Sequence, residues 1–156
     1  MGTTMQALLT AIMTWLSINY GLEATYDDLP AVRFAPPMEM AFLHYEAFTP
    51  DAQRRVVAAY QAASARKVVS VYDVRRQKIL LPEGWEGRTP AELSMVVHEM
   101  VHHLQAEAGL RYGCPEEREA LAYEAQEKWL EQFSTSLNAE FGVDALTLLV
   151  STHCGM

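Results

Sequence analysis

The spacing of apolar and polar residues predicts a helix at the start of the chain. Residues 4–19 place apolar side chains on one side of a helix, and Gly21 follows at a position where helices commonly end. The first 22 residues carry no charge, but polar residues recur among them at helical spacing and no basic residue precedes Arg33. We therefore expect an amphipathic helix on a globular body rather than a signal peptide or a membrane span.

The next part of the chain carries mixed signals. Residues 31–35 are a short strand candidate that ends at two prolines. Residues 38–48 are ambiguous between strand and helix. A helix is predicted over residues 49–65, because Thr49 can cap it and Pro50 suits a first helical turn.

Two further segments predict a hairpin. Residues 67–72 and 78–81 are rich in valine, isoleucine and leucine, and the residues between them, 73–77, are polar. We expect the two segments to be strands joined by a turn.

The clearest helix start lies at Thr89. Thr89 and Glu92 have the spacing of a capping box, and Pro90 occupies the first helical position. The predicted helix runs over residues 89–108 and stops at Gly109.

The C-terminal part predicts two more helices. One starts at residue 114, has acidic residues in its first turn and continues to about residue 139. The last covers residues 143–150 and is apolar on most sides, so we expect it to be packed. The sum is a mostly helical α+β chain that forms a single domain over residues 1–156.

Composition narrows the classes of partner. Half of the 156 residues are hydrophobic, which excludes a disordered chain. The net charge of −8 disfavours nonspecific binding to nucleic acid and to anionic membranes. The two cysteines, Cys114 and Cys154, can form one bridge or remain two free thiols.

The candidate chemistry lies in the middle of the capped helix. His98 and His102 are four residues apart and so differ by only about 40° around a helix, which lets both imidazoles bind one ion. Glu99 lies about 100° from His98, beside the ion, where it can accept a proton from a water molecule. The same helix is apolar around most of its girth. The alternative is a pair of hydrogen-bonded core histidines beside a glutamate that has a basic partner.

A third ligand is expected on the next helix. Glu119 lies within the apolar stripe of that helix, and Glu116 is a weaker candidate about 60° away. The other glutamates of the helix fall on its solvated side: Glu117, Glu124, Glu127 and Glu131.

Other polar residues sit near these candidates. Tyr123 could donate to an oxyanion or hold a ligand, and Gln126 and Gln105 could orient ligands. The alternatives are a core tyrosine and buried amides bonded to backbone. We expect His103, about 140° from His98, to support the structure or a ligand rather than to bind the ion.

These residues resemble a known family. The segments HEMVHHLQ (98–105) and EALAYEAQ (119–126) are similar to the gluzincin branch of the zincin metallopeptidases. The likeness is greatest to small, uncharacterised bacterial zincin-like proteins with a doubled histidine, HExxHH. It is specific over about residues 80–130 and includes the LPEGW segment before the histidine helix.

The resemblance implies one zinc ion per chain, bound by His98, His102 and Glu119, with Glu99 as the catalytic base. It implies a zincin-like fold in which a small sheet packs on the HExxH helix and the following helix bears a ligand. It also implies that residues 78–81 form an edge strand that holds an extended substrate.

The chain also departs from that pattern. It lacks the second-helix signature of thermolysin-like enzymes and has no recognisable distal histidine donor. His44 and His153 remain either candidates for that role or ordinary histidines. The chain is also short for a peptidase, with little material for a second cleft wall.

The expected function is a zinc metallopeptidase that cleaves peptide or amide bonds in a peptide or protein substrate, with Tyr123 as the best candidate for oxyanion stabilisation. One alternative is a zinc-binding structural or partner-binding module without catalysis, and another is a helical interaction module without metal. We expect no nucleic-acid partner and no membrane insertion. The bacterial cytoplasm and the periplasm both remain open as compartments.

Overall fold

The computed structural model describes residues 2–36, 39–40 and 70–155. This part of the chain is α+β and mostly helical, with a small mixed sheet of three strands, which confirms the predicted class at that level. Contacts divide the chain into two compact units, one of Met1–Leu29 with Glu86–Met156 and one of Pro30–Trp85. The single domain over residues 1–156 stays a prediction.

The first unit contains the two longest helices among the described residues. Helix α1 spans Gly2–Tyr20 and helix α2 spans Pro90–Glu107, close to the predicted limits. Each ends before a glycine in the left-handed region, where a side chain would be strained: Gly21 has φ 67° and Gly109 has φ 67°. The two helices pack against each other. Residues of α1 at helical spacing form part of the core: Leu9, Ile12, Met13 and Leu16.

The predicted helix over residues 114–139 is wrong in its extent. The chain first forms a 3₁₀ turn over Pro115–Arg118, and helix α3 then spans only Glu119–Glu131. Ser134, with φ 58°, interrupts the helical path. The side chain of Ser136 then accepts a hydrogen bond from the backbone N–H of Ala139 and starts a separate short helix, α4 (Leu137–Phe141).

The last helix, α5 (Ala145–Thr152), forms close to the predicted place but is not packed as expected. None of its residues is fully buried. Leu146 is 69% exposed, and Leu149 and Val150 are also exposed. The helix contacts α3 and the 3₁₀ turn with only part of its circumference, so several apolar side chains remain on the surface.

The two cysteines form a disulfide bond. Cys114 and Cys154 are 40 residues apart in sequence, and their Cα atoms are 5.8 Å apart. Of the two alternatives left open by the sequence, the structure contains the bridge. It joins the segment after α5 to the residue that precedes the 3₁₀ turn.

The second unit contains the sheet. Strands β1 (Ala31–Ala35), β2 (Val71–Asp73) and β3 (Lys78–Pro82) lie in the order β1-β3-β2. The predicted hairpin is present: β2 is antiparallel to β3, and the side chain of Asp73 accepts hydrogen bonds from the backbone N–H groups of Arg75 and Arg76 in the turn.

The expectation that residues 78–81 form an edge strand is wrong. Strand β3 is the central strand, because β1 pairs with it in parallel on one side and β2 pairs with it on the other. Over Lys78–Leu80 it therefore has a neighbouring strand on both sides, and no open edge is left there for an extended substrate.

Some predictions fall on other parts of the chain. The predicted helix over residues 49–65, most of the ambiguous segment 38–48, residues 67–69 and His44 lie outside the described residues. Among the helices that are described, none combines the length and the hydropathy needed to cross a membrane.

Candidate metal centre

Helix α2 positions both histidines. The side chain of Thr89 accepts a hydrogen bond of 3.1 Å from the backbone N–H of Glu92, as the capping-box pattern predicts. The carboxylate of Glu92 reaches further than expected and accepts hydrogen bonds from the backbone N–H groups of Glu86, Gly87 and Arg88 in the preceding loop. The start of α2 is thus fixed on both sides of the cap. From Ser94 to Gln105 every residue of the helix is buried.

The predicted ligands converge at one point between α2 and α3. One carboxylate oxygen of Glu119 lies 2.8 Å from Nε2 of His98, and the other lies 3.1 Å from Nε2 of His102. One ligand atom from each of the three residues lies within 4.8 Å of the others. The two rings stand nearly perpendicular, with their centroids 5.0 Å apart.

A glutamine holds the other nitrogen of each ring. Nδ1 of His98 is 2.9 Å from Oε1 of Gln126, and Nδ1 of His102 is 3.0 Å from Oε1 of Gln105. Both glutamines are thus buried amides that bond to a histidine ring, and Gln105 also bonds to backbone, as the alternative expectation has it. Since an amide oxygen only accepts hydrogen bonds, each Nδ1 carries a proton and each Nε2 faces Glu119.

Each glutamine is fixed in turn by its own amide nitrogen. Gln105 donates to the backbone carbonyl of Arg118 at 3.1 Å, and Gln126 donates to the hydroxyl of Ser94 at 3.1 Å. Ser94 itself donates to the carbonyl of Ala91 at 2.7 Å. Ser94 was missed at the sequence level, although it lies four residues before His98 and so on the same helix face.

Charge couples the three candidate ligands in the absence of a metal ion. Burial alone would lower the pKa of His98, but the negative charges of Glu99 and Glu119 outweigh it and raise that pKa to about 9. Burial alone would raise the pKa of Glu119, but His102 and His98 hold it well below its usual value. The cluster is thus a buried ion pair when no metal is bound.

The donor set fits a divalent metal ion such as zinc. Two imidazoles and one carboxylate are three ligands of the kind found in catalytic zinc sites, and ligand atoms about 2.0–2.1 Å from a tetrahedral zinc lie about 3.3 Å apart. Nε2 of His102 is buried and, despite its closeness to Glu119, has no hydrogen-bond partner of acceptable geometry. A buried polar atom of this kind is costly unless a ligand satisfies it.

The two residues with expected catalytic roles lie beside the cluster. Glu99 is buried next in sequence to His98, and its charge acts on the pKa of that ring. Tyr123 packs its ring edge-to-face against His98, with centroids 4.7 Å apart. These contacts leave their catalytic roles as predictions.

Comparison with known proteins assigns the chain to a family. A family model described as a domain of unknown function (DUF6647) matches residues 1–156. The chain belongs to this family. No curated protein and no solved structure matches it significantly. The family description carries no activity, so the chemistry of this DUF6647 chain rests on the residues of the site.

The other residues considered as ligands or donors lie outside the cluster. Nε2 of His103 is 2.7 Å from the carbonyl oxygen of Asp28, which gives this histidine the structural role expected of it. Neither Glu116 nor His153 belongs to the His98, His102 and Glu119 cluster. His153 is exposed after α5, where its Nδ1 donates to the carbonyl of Leu149.

Proposed function

We propose that this protein is a zinc-dependent hydrolase with a zincin-like fold that cleaves peptide or amide bonds. The observation that carries the proposal is the convergence of two HExxH histidines and Glu119 with both Nε2 atoms directed at the carboxylate. The family resemblance of residues 98–105 and 119–126 supports the same conclusion. One zinc ion per chain would be held by His98, His102 and Glu119.

Glu99 and Tyr123 have distinct parts in this proposal. Zinc, when bound, supplies a Lewis acid that polarises a carbonyl oxygen and makes a neighbouring water more acidic. Glu99 is the general base: its carboxylate accepts the proton of the attacking water and passes it to the leaving amine. Tyr123 is the candidate donor to the developing oxyanion, since its ring already contacts His98. The substrate is a peptide or protein segment.

The test compares the zinc-loaded protein with Glu99→Gln. Both are incubated with a mixture of unstructured peptides of known sequence, and new termini are identified by mass spectrometry. We expect cleavage by the unaltered protein and a loss of about 10²–10⁴-fold in the variant, which keeps its zinc but cannot accept a proton. Glu107→Gln, at the end of the same helix, is the matched control and should cleave normally.

Two results would contradict the proposal. Cleavage that persists unchanged in Glu99→Gln would exclude the assigned base. Absence of new termini with a fully zinc-loaded, folded protein would favour a zinc-binding module without catalysis.

A further inference from the structure

The two histidines of the cluster are each connected to a backbone carbonyl through a chain of side chains. His102 is linked through Gln105 to the carbonyl of Arg118. His98 is linked through Gln126 and then Ser94 to the carbonyl of Ala91. All the side chains in both links are buried.

The direction of every hydrogen bond in the first link is fixed. A backbone carbonyl can only accept, so the atom of Gln105 that faces Arg118 must be the amide nitrogen. The amide oxygen then faces His102, and Nδ1 of that ring must carry the proton. Nε2 is left as the atom available to a metal ion.

The second link has the same logic with one more member. The hydroxyl of Ser94 donates its only proton to the carbonyl of Ala91, so towards Gln126 it can only accept. Gln126 therefore presents its nitrogen to Ser94 and its oxygen to Nδ1 of His98. Two backbone carbonyls thus dictate which nitrogen of each imidazole is available.

The first link also connects two candidate ligands. Arg118 directly precedes Glu119, so the carbonyl that orients Gln105 belongs to the segment that carries the carboxylate ligand.

The two residues that bond directly to the histidine rings, Gln105 and Gln126, are uncharged. Metal-bound histidines commonly donate to a carboxylate or a backbone carbonyl, and a carboxylate there raises the basicity of the ring. Amides supply the same orientation without a further negative charge beside Glu99 and Glu119, which already act on His98.

We propose that Gln105 and Gln126 are positioning residues that select the Nε2 atoms as metal ligands and, being uncharged, keep metal affinity below what carboxylates would give. Ser94 acts through Gln126. This inference rests on the metal site of the proposed function but not on its hydrolytic activity.

The test measures zinc affinity by competition with a chromophoric chelator at one fixed pH. Removal of the acceptor in Gln126→Leu should weaken zinc binding by about 10–100-fold, the usual effect of losing such a partner. Ser94→Ala should weaken it in the same direction but less. Gln126→Glu, which has the same shape and towards which the Ser94 hydroxyl can turn to donate, should bind zinc more tightly than the unaltered protein. Gln132→Glu, an exposed change just after α3, is the matched control and should leave the affinity unchanged.

A second measurement separates positioning from simple stabilisation. The ¹⁵N spectra of the histidine rings report which nitrogen carries the proton. In the zinc-loaded protein His98 and His102 should both be Nδ1–H, and Gln126→Leu should alter the signature of His98 alone. Folding of each variant is checked by circular dichroism.

Each outcome has one meaning. Zinc affinities of folded Gln126→Leu and Gln126→Glu that both equal that of the unaltered protein overturn the inference while leaving the metal site intact. Protonated Nε2 atoms in the zinc-loaded protein also overturn it. An unaltered protein that binds no zinc overturns the metal site itself and, with it, the proposed function.

Discussion

Glu119 supplies the one carboxylate in the His98, His102 and Glu119 cluster, and it lies on a different helix from the two histidines. Replacing it with alanine should reduce zinc content from about one ion per chain to a small fraction, because two imidazoles alone leave the ion poorly coordinated. Elemental analysis after dialysis against a weak chelator measures this. Glu116→Ala is the matched control and should retain its zinc. Full zinc content in Glu119→Ala would exclude Glu119 from the site.

The pH dependence of metal binding follows from the electrostatics of His98. Without metal its pKa is raised to about 9, so at neutral pH the ring carries a second proton, on Nε2, that an incoming ion must displace. Zinc affinity should therefore rise about tenfold per pH unit between about pH 7 and pH 9, then level off. Calorimetry in two buffers of different ionisation enthalpy should show about one proton released per ion at pH 7. An affinity that is constant over this range would contradict the prediction.

Among single residues, the sequence predicts the three candidate ligands better than the residues that hydrogen-bond around them. His98, His102 and Glu119 follow from the geometry of two single helices, where about 100° per residue fixes which side chains share a face. Ser94 does not, because its role depends on Gln126 reaching across from another helix. Contacts of that kind depend on how helices pack, which periodicity does not describe.

The N-terminal cap of α2 fixes the start of the helix that carries both histidines. Thr89→Ala removes the oxygen that accepts from the N–H of Glu92 and should reduce the free energy of unfolding by about 0.5–2 kcal/mol. Thr89→Ser keeps the oxygen and should be close to neutral. Urea unfolding of the metal-free protein, followed by circular dichroism, compares the two. Equal stability of Thr89→Ala and the unaltered protein would show that the cap contributes nothing.

Helix limits that a local residue pattern marks were predicted better than limits without such a pattern. The Thr89 cap and the glycines after α1 and α2 are local signals, and the structure confirms them. The predicted helix from residue 114 fails at Ser134, where a non-glycine residue adopts a left-handed conformation. The serine at 136 that caps the next helix was a usable signal, since serine favours that position.

Across the whole molecule, the limits of prediction come from contacts distant in sequence. The hairpin of β2 and β3 is local and was predicted, whereas the parallel pairing of Ala31–Ala35 with Lys78–Pro82 joins segments more than forty residues apart. No turn signal specifies such a pairing. The edge-strand prediction failed for this reason, because β1 covers the side of β3 that would otherwise be open.

The disulfide is the other long-range connection, and it ties the end of the chain to the segment before the Glu119 helix. The loop that it closes corresponds to a sequence separation of 40 residues, for which the chain-entropy model gives about 4 kcal/mol. Reduction should therefore lower the free energy of unfolding by about 2–4 kcal/mol, measured by denaturant unfolding with and without a reductant. α5 has no fully buried residue and contacts α3 and the 3₁₀ turn with only part of its circumference, so we expect the end of the chain to loosen when the bridge is opened.

The double variant Cys114→Ser with Cys154→Ser is the control for that measurement. It should match the reduced protein in stability and should not respond to reductant, since it has no bridge to lose. Thiol counting in denatured, unreduced protein checks the premise directly, with none expected. Two free thiols would show that the bridge does not form, and a reductant effect that persists in the double variant would assign the stability change to another cause.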